Sequence, residues 1–247
     1  LHEIMTKEQI LENFDPSQPG LADATIFGLP FSAEQSEIIV IPVPWEVTVS
    51  YGSGASKGPD AVLDASFQVD LNHQEFPELW KLGIYIDKPA KELKKKSKKF
   101  KKQAAPIIKA LESGMILDHH PSLMKDLEEI NYACSDMVEA VREQTLNWMN
   151  KGKKVVLLGG DHSTPLGYYQ ALATKYDNFG ILHLDAHMDL RIAYEGFTYS
   201  HASIMYNTLQ IPQVSKIVQV GIRDFCEQEV EVALKDRVLV HTDSDLK

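Results

Sequence analysis

The chain has 247 residues, 44% of them hydrophobic, and a formal net charge of −10. That length suits one large α/β domain over 1–247 rather than two small ones, and the acidic balance argues against nucleic acid or an anionic membrane surface as partner while mildly favouring cationic substrates. Cys134 and Cys226 make no disulfide framework or zinc-ribbon spacing, the start lacks the segments of a signal peptide, and no apolar run reaches the ~18 residues of a membrane span, so a reducing cytoplasm is expected.

Residues 1–35 are mixed and define no element. Glu37 to Val43 reads as a buried strand, apolar throughout as parallel sheets require. The glycines of Ser50–Asp60 imply a tight loop at the strand end, with Pro59 opening a helix to Ser66; this is no phosphate-binding loop, because no Gly-Lys-Ser/Thr follows. Trp80 to Ile86 predicts another strand. The lysines between Lys91 and Lys102 predict a solvated helix face, with an anion-binding patch as the alternative. His119-His120 reads as a surface pair in a turn. Ser122 to Asn150 carries apolar residues at helical spacing (Leu123, Leu127, Ile130, Ala133, Met137, Val141, Leu146, with Trp148 near the end), closed by Gly152.

From there the alternation is regular. Strands Lys154–Leu158, Gly180–Leu184, Lys216–Val220 and Arg237–His241 are separated by helices at Pro165–Tyr176, around His201–Leu209 and near Glu227–Leu234. Such alternation predicts a parallel sheet with helices on both faces, and ligands in such sheets sit outside the carboxyl ends of the strands.

Chemistry-bearing residues cluster at those ends. Asp185, His187 and Asp189 follow the strand ending at Leu184, and project to one side if the backbone stays extended. The four residues rise only about 6.6 Å, short enough to share one or two metal ions. His162 follows the neighbouring apolar strand. A lone His or Asp at a strand end is ordinarily a cap or a loop hydrogen-bonder. Four such groups at two strand ends, unpaired, would be costly to bury, and a metal accounts for them together. A carboxylate–imidazole set without thiolate suits Mn2+, with Fe2+, Co2+, Ni2+ or Zn2+ as alternatives. Two ions about 3.5–4 Å apart would hold a bridging water as hydroxide. His201, on the loop beyond, fits a proton shuttle or a surface histidine. His183 reads as a core residue or a support behind the ligands.

These motifs carry a resemblance. Gly159-Gly160-Asp161-His162-Ser163, Asp185-Ala186-His187-Met188-Asp189 and Ser200-His201-Ala202-Ser203 together resemble the ureohydrolase family of arginases, agmatinases and formimidoylglutamases, from about Glu37 onward. The resemblance implies a three-layer α/β/α fold with a mostly parallel sheet, a binuclear manganese centre with two Mn2+ per subunit, and a homotrimer or homohexamer. It implies hydrolysis of a guanidino or formimino C–N bond. By position, His162 and Asp189 match ligands of the first metal, Asp185 the bridging carboxylate, His187 a ligand of the second, and His201 the histidine that assists proton transfer. Gly221-Ile222-Arg223-Asp224 matches a structural strand end.

The family's third motif, Ser-x-Asp-x-Asp-x-x-Asp-Pro, with its two further aspartate ligands, does not occur. Asp243-Ser244-Asp245 has part of the spacing but comes too soon, and is expected to be a turn. The chain is therefore expected to be an amino-terminal portion with an incomplete metal shell and weak or absent activity alone. An agmatinase-like enzyme acting on a small cationic guanidino substrate and releasing urea is the leading expectation; arginase or formimidoylglutamase activity is the alternative. A non-catalytic, oligomer-forming binding protein of the same fold is the alternative of another class. Arg191, in Asp189-Leu190-Arg191, resembles formimidoylglutamases and could hold a substrate carboxylate, or instead pair with Glu195.

Overall fold

The computed structural model describes residues 5–20 and 24–246. Its regular elements are α1 (Lys7–Asn13), β1 (Ile38–Val43), α2 (Gly58–Ser66), β2 (Ile84–Ile86), α3 (Leu93–Glu112), α4 (Pro121–Asn150), β3 (Lys154–Gly159), α5 (Leu166–Ala173), β4 (Phe179–Leu184), α6 (Ile204–Leu209), β5 (Val214–Ile222), α7 (Glu227–Lys235) and β6 (Val238–Thr242). Every strand pairing is parallel, with helices in the crossovers, as the alternation predicts. Among the described residues the strands form two three-stranded sheets, ordered β2-β1-β3 and β4-β5-β6, rather than one. None of the described helices is long and apolar enough to cross a membrane.

β1 is central in its sheet yet contains Pro42, which cannot donate to a ladder. The exception has a geometric reason. Val40 O accepts from Asp87 N on the β2 side, and Pro42 shares that orientation. Pairing with β2 ends at Val40–Ile86, so the missing N–H faces a stretch with no ladder. β2 is shorter than the expected Trp80–Ile86 because Leu79–Leu82 forms a 3-10 turn. Gly83 then turns the chain at φ 74°, where a Cβ would stand 2.9 Å from Ser36 Cα.

α4 buries Leu127, Ile130, Ala133, Met137, Val141 and Trp148 as its periodicity predicts, and it takes Thr145 rather than Leu146 into the interior. α3 continues ten residues beyond the lysine run. Most of those lysines are solvated or in surface ion pairs, such as Lys96 with Asp136, but Lys101 turns inward and donates to Val49 O. One buried cluster joins Ile39 and Ile41 of β1, Ile130 and Met137 of α4, Ile181 of β4 and Ile217 of β5. Each such side chain contributes roughly 1.5–3 kcal/mol by leaving water, so this core fixes both sets of strand ends against α4. A small satellite of Ile10, Leu29, Phe31 and Trp80 holds the amino-terminal segment down.

β4 alternates. Ile181 and His183 are buried, while Leu182 and Leu184 are 66% and 70% exposed. Val156 on β3 is 49% exposed. Apolar side chains thus line the sheet edges formed by β3 and β4.

Candidate metal centre

The carboxyl end of β3 runs into Gly159-Gly160. A Cβ on Gly160 would lie 2.0 Å from Trp45 O, and one on Gly159 2.4 Å from Thr164 Oγ1. Only glycine permits this approach. It lets Asp161 N donate to Trp45 O at 2.7 Å, so the turn after β3 is pinned to the chain leaving β1. Asp161 is buried; its Oδ1 accepts from Ser163 N (2.9 Å) and Ser163 Oγ (2.5 Å). Burial pushes the Asp161 carboxyl up, against those hydrogen bonds and the nearby His201 and Lys101. This small turn presents His162 toward β4.

From β4, Asp185 N donates to Val220 O, which continues the sheet pattern to the strand tip. Asp185 Oδ1 then accepts from His187 N at 2.9 Å. The chain does not stay extended. Asp189 takes a left-handed conformation (φ 54°), and its carbonyl accepts from Met205 N and Tyr206 N at the start of α6. That strained turn drives the Asp189 carboxylate inward, where Oδ2 meets His162 Nδ1 at 2.6 Å. Asp185 Oδ2 is 3.4 Å from the same nitrogen. Burial acts to lower the His162 pKa, but Asp189, Asp185 and Asp161 together outweigh it and raise it. Burial likewise works against ionisation of Asp185, and the His187 amide with His162 and His183 holds its carboxyl below the usual range.

His162, Asp185 and Asp189 are therefore brought together. His187 lies to the side: its ring is 58% exposed, with Nδ1 3.4 Å from Asp185 Oδ1 and Nε2 3.7 Å from Asp224 Oδ2. The fourth member of the inner group is His183, buried on the same face of β4 as Asp185, with Nε2 3.3 Å from Asp185 Oδ2. Its spacing of two from Asp185 was the available signal, since residues two apart on a strand share a face. One donor atom from each of His162, His183, Asp185 and Asp189 can be chosen so that all lie within 4.8 Å of one another. A divalent ion with bonds of about 2.1 Å needs ligand atoms roughly 3–4 Å apart. The donor set therefore fits a divalent cation after small inward shifts, and its N/O chemistry suits Mn2+ among others.

His201 faces the group from the far wall. Its backbone N donates to Thr48 Oγ1 at 3.3 Å, and its Nδ1 lies 3.4 Å from the same oxygen. Burial holds its pKa below the ordinary value, against the pull of Asp161 and Asp189. A cavity of about 330 Å3 opens here, walled by Ser50, His187, Asp189, Arg191, His201 and Asp224, among others. Ser50 belongs to the Gly-rich loop, which Glu46 anchors: Glu46 Oε2 accepts from Gly54 N (2.7 Å) and Ser56 N (3.0 Å). Arg191 pairs with Glu229 (3.8 Å) and lies 4.8 Å over the Tyr194 ring, so its ion-pair partner is Glu229 rather than the alternative Glu195. Buried Glu229 also accepts from Leu190 N and Cys226 N, which ties the cap of α7 to the Asp189 turn. Asp245 accepts from Thr242 N and Oγ1, a local turn after β6 as expected.

A family model described as "Arginase family" matches residues 36–247. N(1)-aminopropylagmatine ureohydrolase of Thermus thermophilus is 31% identical over 208 residues, covering 83% of this chain and 57% of that protein. Agmatinase of Bacillus anthracis is 26% identical over 202 residues, covering 82% of this chain and 57% of that protein. The crystal structure of agmatine ureohydrolase of Thermoplasma volcanium superposes with a TM-score of 0.63 at 20% identity, over 97% of this chain and 66% of that one. The chain thus spans little more than half the length of these curated relatives.

Proposed function

The chain belongs to the arginase family, and from that premise we propose that the protein hydrolyses a guanidino C–N bond of a small cationic substrate and releases urea, as an agmatinase-like enzyme. The observation that carries this is the convergence of His162 from β3 with Asp185 and Asp189 beyond β4, at 2.6 and 3.4 Å.

His162, Asp185 and Asp189 would hold divalent metal, two Mn2+ per subunit of the whole protein being our reading. His187 would join them by turning from Asp224. Metal bound there supplies a water nucleophile at neutral pH and charge for the developing tetrahedral centre. The remaining work falls to the chain itself. His201, held neutral by burial and placed by Thr48, is the group to carry a proton toward the leaving amine. Asp224 and Glu229 give the cavity negative charge suited to a cationic substrate. Arg191 supports a second reading. It lines the same cavity, and release from Glu229 would free it to clamp a carboxylate, as arginine or formimidoylglutamate would require.

The test is urea release by Mn2+-loaded protein from agmatine, N(1)-aminopropylagmatine and arginine, with formamide or ammonia release from formimidoylglutamate in parallel. Urea from the carboxylate-free substrates, lost in His162→Ala, is expected. Turnover confined to carboxylated substrates overturns the substrate assignment. No turnover of any of them by the whole protein overturns the enzyme reading. A homotrimer or homohexamer in a cytoplasmic setting completes the proposal.

A further inference from the structure

His183 and Gln219 are partners in register on β4 and β5, and both are buried, at 5% and 0% exposure. A histidine facing a glutamine inside a parallel sheet needs a reason, since buried polar groups are retained only where hydrogen bonds satisfy them. Gln219 Nε2 lies 2.6 Å from Met188 O and 3.0 Å from His183 Nδ1. The Met188 carbonyl can only accept. The Gln219 amide must therefore face it with its NH2 group, because the reverse orientation would set two carbonyl oxygens against each other. One amide hydrogen goes to Met188 O, and the other points at His183 Nδ1. That nitrogen must then accept, so the neutral ring carries its proton on Nε2. The Nε2–H makes no hydrogen bond among the described residues, and the nearest carboxylate oxygen to it is Asp185 Oδ2 at 3.3 Å, a small shift from bonding distance. The other Asp185 oxygen is already fixed by His187 N.

We infer that Gln219 and His183 form a positioning pair for Asp185: Gln219 sets the tautomer, and the His183 Nε2–H clamps Oδ2 so that the carboxylate keeps its remaining lone pairs for metal. This rests on the metal-centre reading above. It also separates His183 from the groups around it. Although Nε2 stands within the inner group of donors, a protonated nitrogen cannot ligate a cation, so His183 acts through Asp185. Such supports orient ligands, and their loss typically weakens metal binding about 10–100-fold.

The test is Mn2+ titration of the protein and three variants, followed by the paramagnetic signal of free Mn2+, alongside thermal unfolding of each metal-free form. His183→Leu removes the donor. Gln219→Leu frees the tautomer. His183→Gln keeps an amide N–H close to the place of Nε2–H. His183→Leu and Gln219→Leu should bind Mn2+ about 10–100-fold more weakly, with His183→Gln staying within about threefold of the parent. The two His183 variants should lose similar thermal stability without metal, so that affinity and stability part company. His183→Gln binding as poorly as His183→Leu overturns the inference, because ring packing or direct ligation would then matter instead of the donor. Parent-like affinity in all three also overturns it while leaving the metal-centre reading intact. A parent that takes up no Mn2+ sinks both.

Discussion

Gly160 and Trp45 approach so closely that a Cβ on the glycine would stand 2.0 Å from the Trp45 carbonyl oxygen. This contact joins the tips of β1 and β3, and His162 is aimed across at β4 from the turn it creates. Gly160→Ala is therefore expected to move the His162 turn bodily. Overpacking of this kind costs about 1–3 kcal/mol. Urea denaturation should show that loss, and Mn2+ uptake should fall with it.

Glu46 anchors the Gly-rich loop by accepting two backbone N–H groups on one oxygen. Burial opposes its ionisation, but the amides of Ser56 and Gly54 with Lys101 prevail and lower its pKa. A carboxyl depressed in the folded state stabilises above its unfolded value, about 4.3, and that contribution is lost as pH falls through the folded value. Glu46→Gln should thus cost about 1–3 kcal/mol at pH 7. The gap from the parent should narrow below about pH 4. Denaturation at the two pH values checks the sign; a gap that widens in acid contradicts it.

Glu229 couples α7 to the Asp189 turn through Cys226 N and Leu190 N. Glu229→Ala removes a helix cap and strands two backbone donors, one of them buried, a loss of about 2 kcal/mol. Exposed Glu227, two residues away without those contacts, is the control, and Glu227→Ala should stay within about 0.5 kcal/mol of the parent. Equal effects from the two would remove Glu229 from its structural role.

Leu182 and Leu184 on β4 and Val156 on β3 expose apolar surface along sheet edges, which invites edge-to-edge association. The 247-residue polypeptide is expected to self-associate by size-exclusion chromatography. Leu182→Lys with Leu184→Lys should shift it toward monomer.

The strand–helix alternation was legible because parallel strands are buried on both faces and read as short apolar runs, as in Ile38–Val43. Carboxyl-end placement made His162, Asp185 and Asp189 readable as neighbours. Three features were not. His187 and Asp189 were expected on one side, but the left-handed turn at Asp189 depends on its carbonyl capping α6, which no local pattern announces. Gln219 lies in an ordinary apolar run, and its meaning appears only when the register sets it against His183. The division into two sheets depends on which strands hydrogen-bond, whereas alternation fixes only that the strands are parallel.

Crystals grown with Mn2+ and measured near the manganese absorption edge test the central claim most directly. The account predicts anomalous density within bonding distance of His162 Nδ1 and of the Asp185 and Asp189 carboxylates. Manganese bound only elsewhere, or none at full Mn2+ saturation of the crystal, would contradict it.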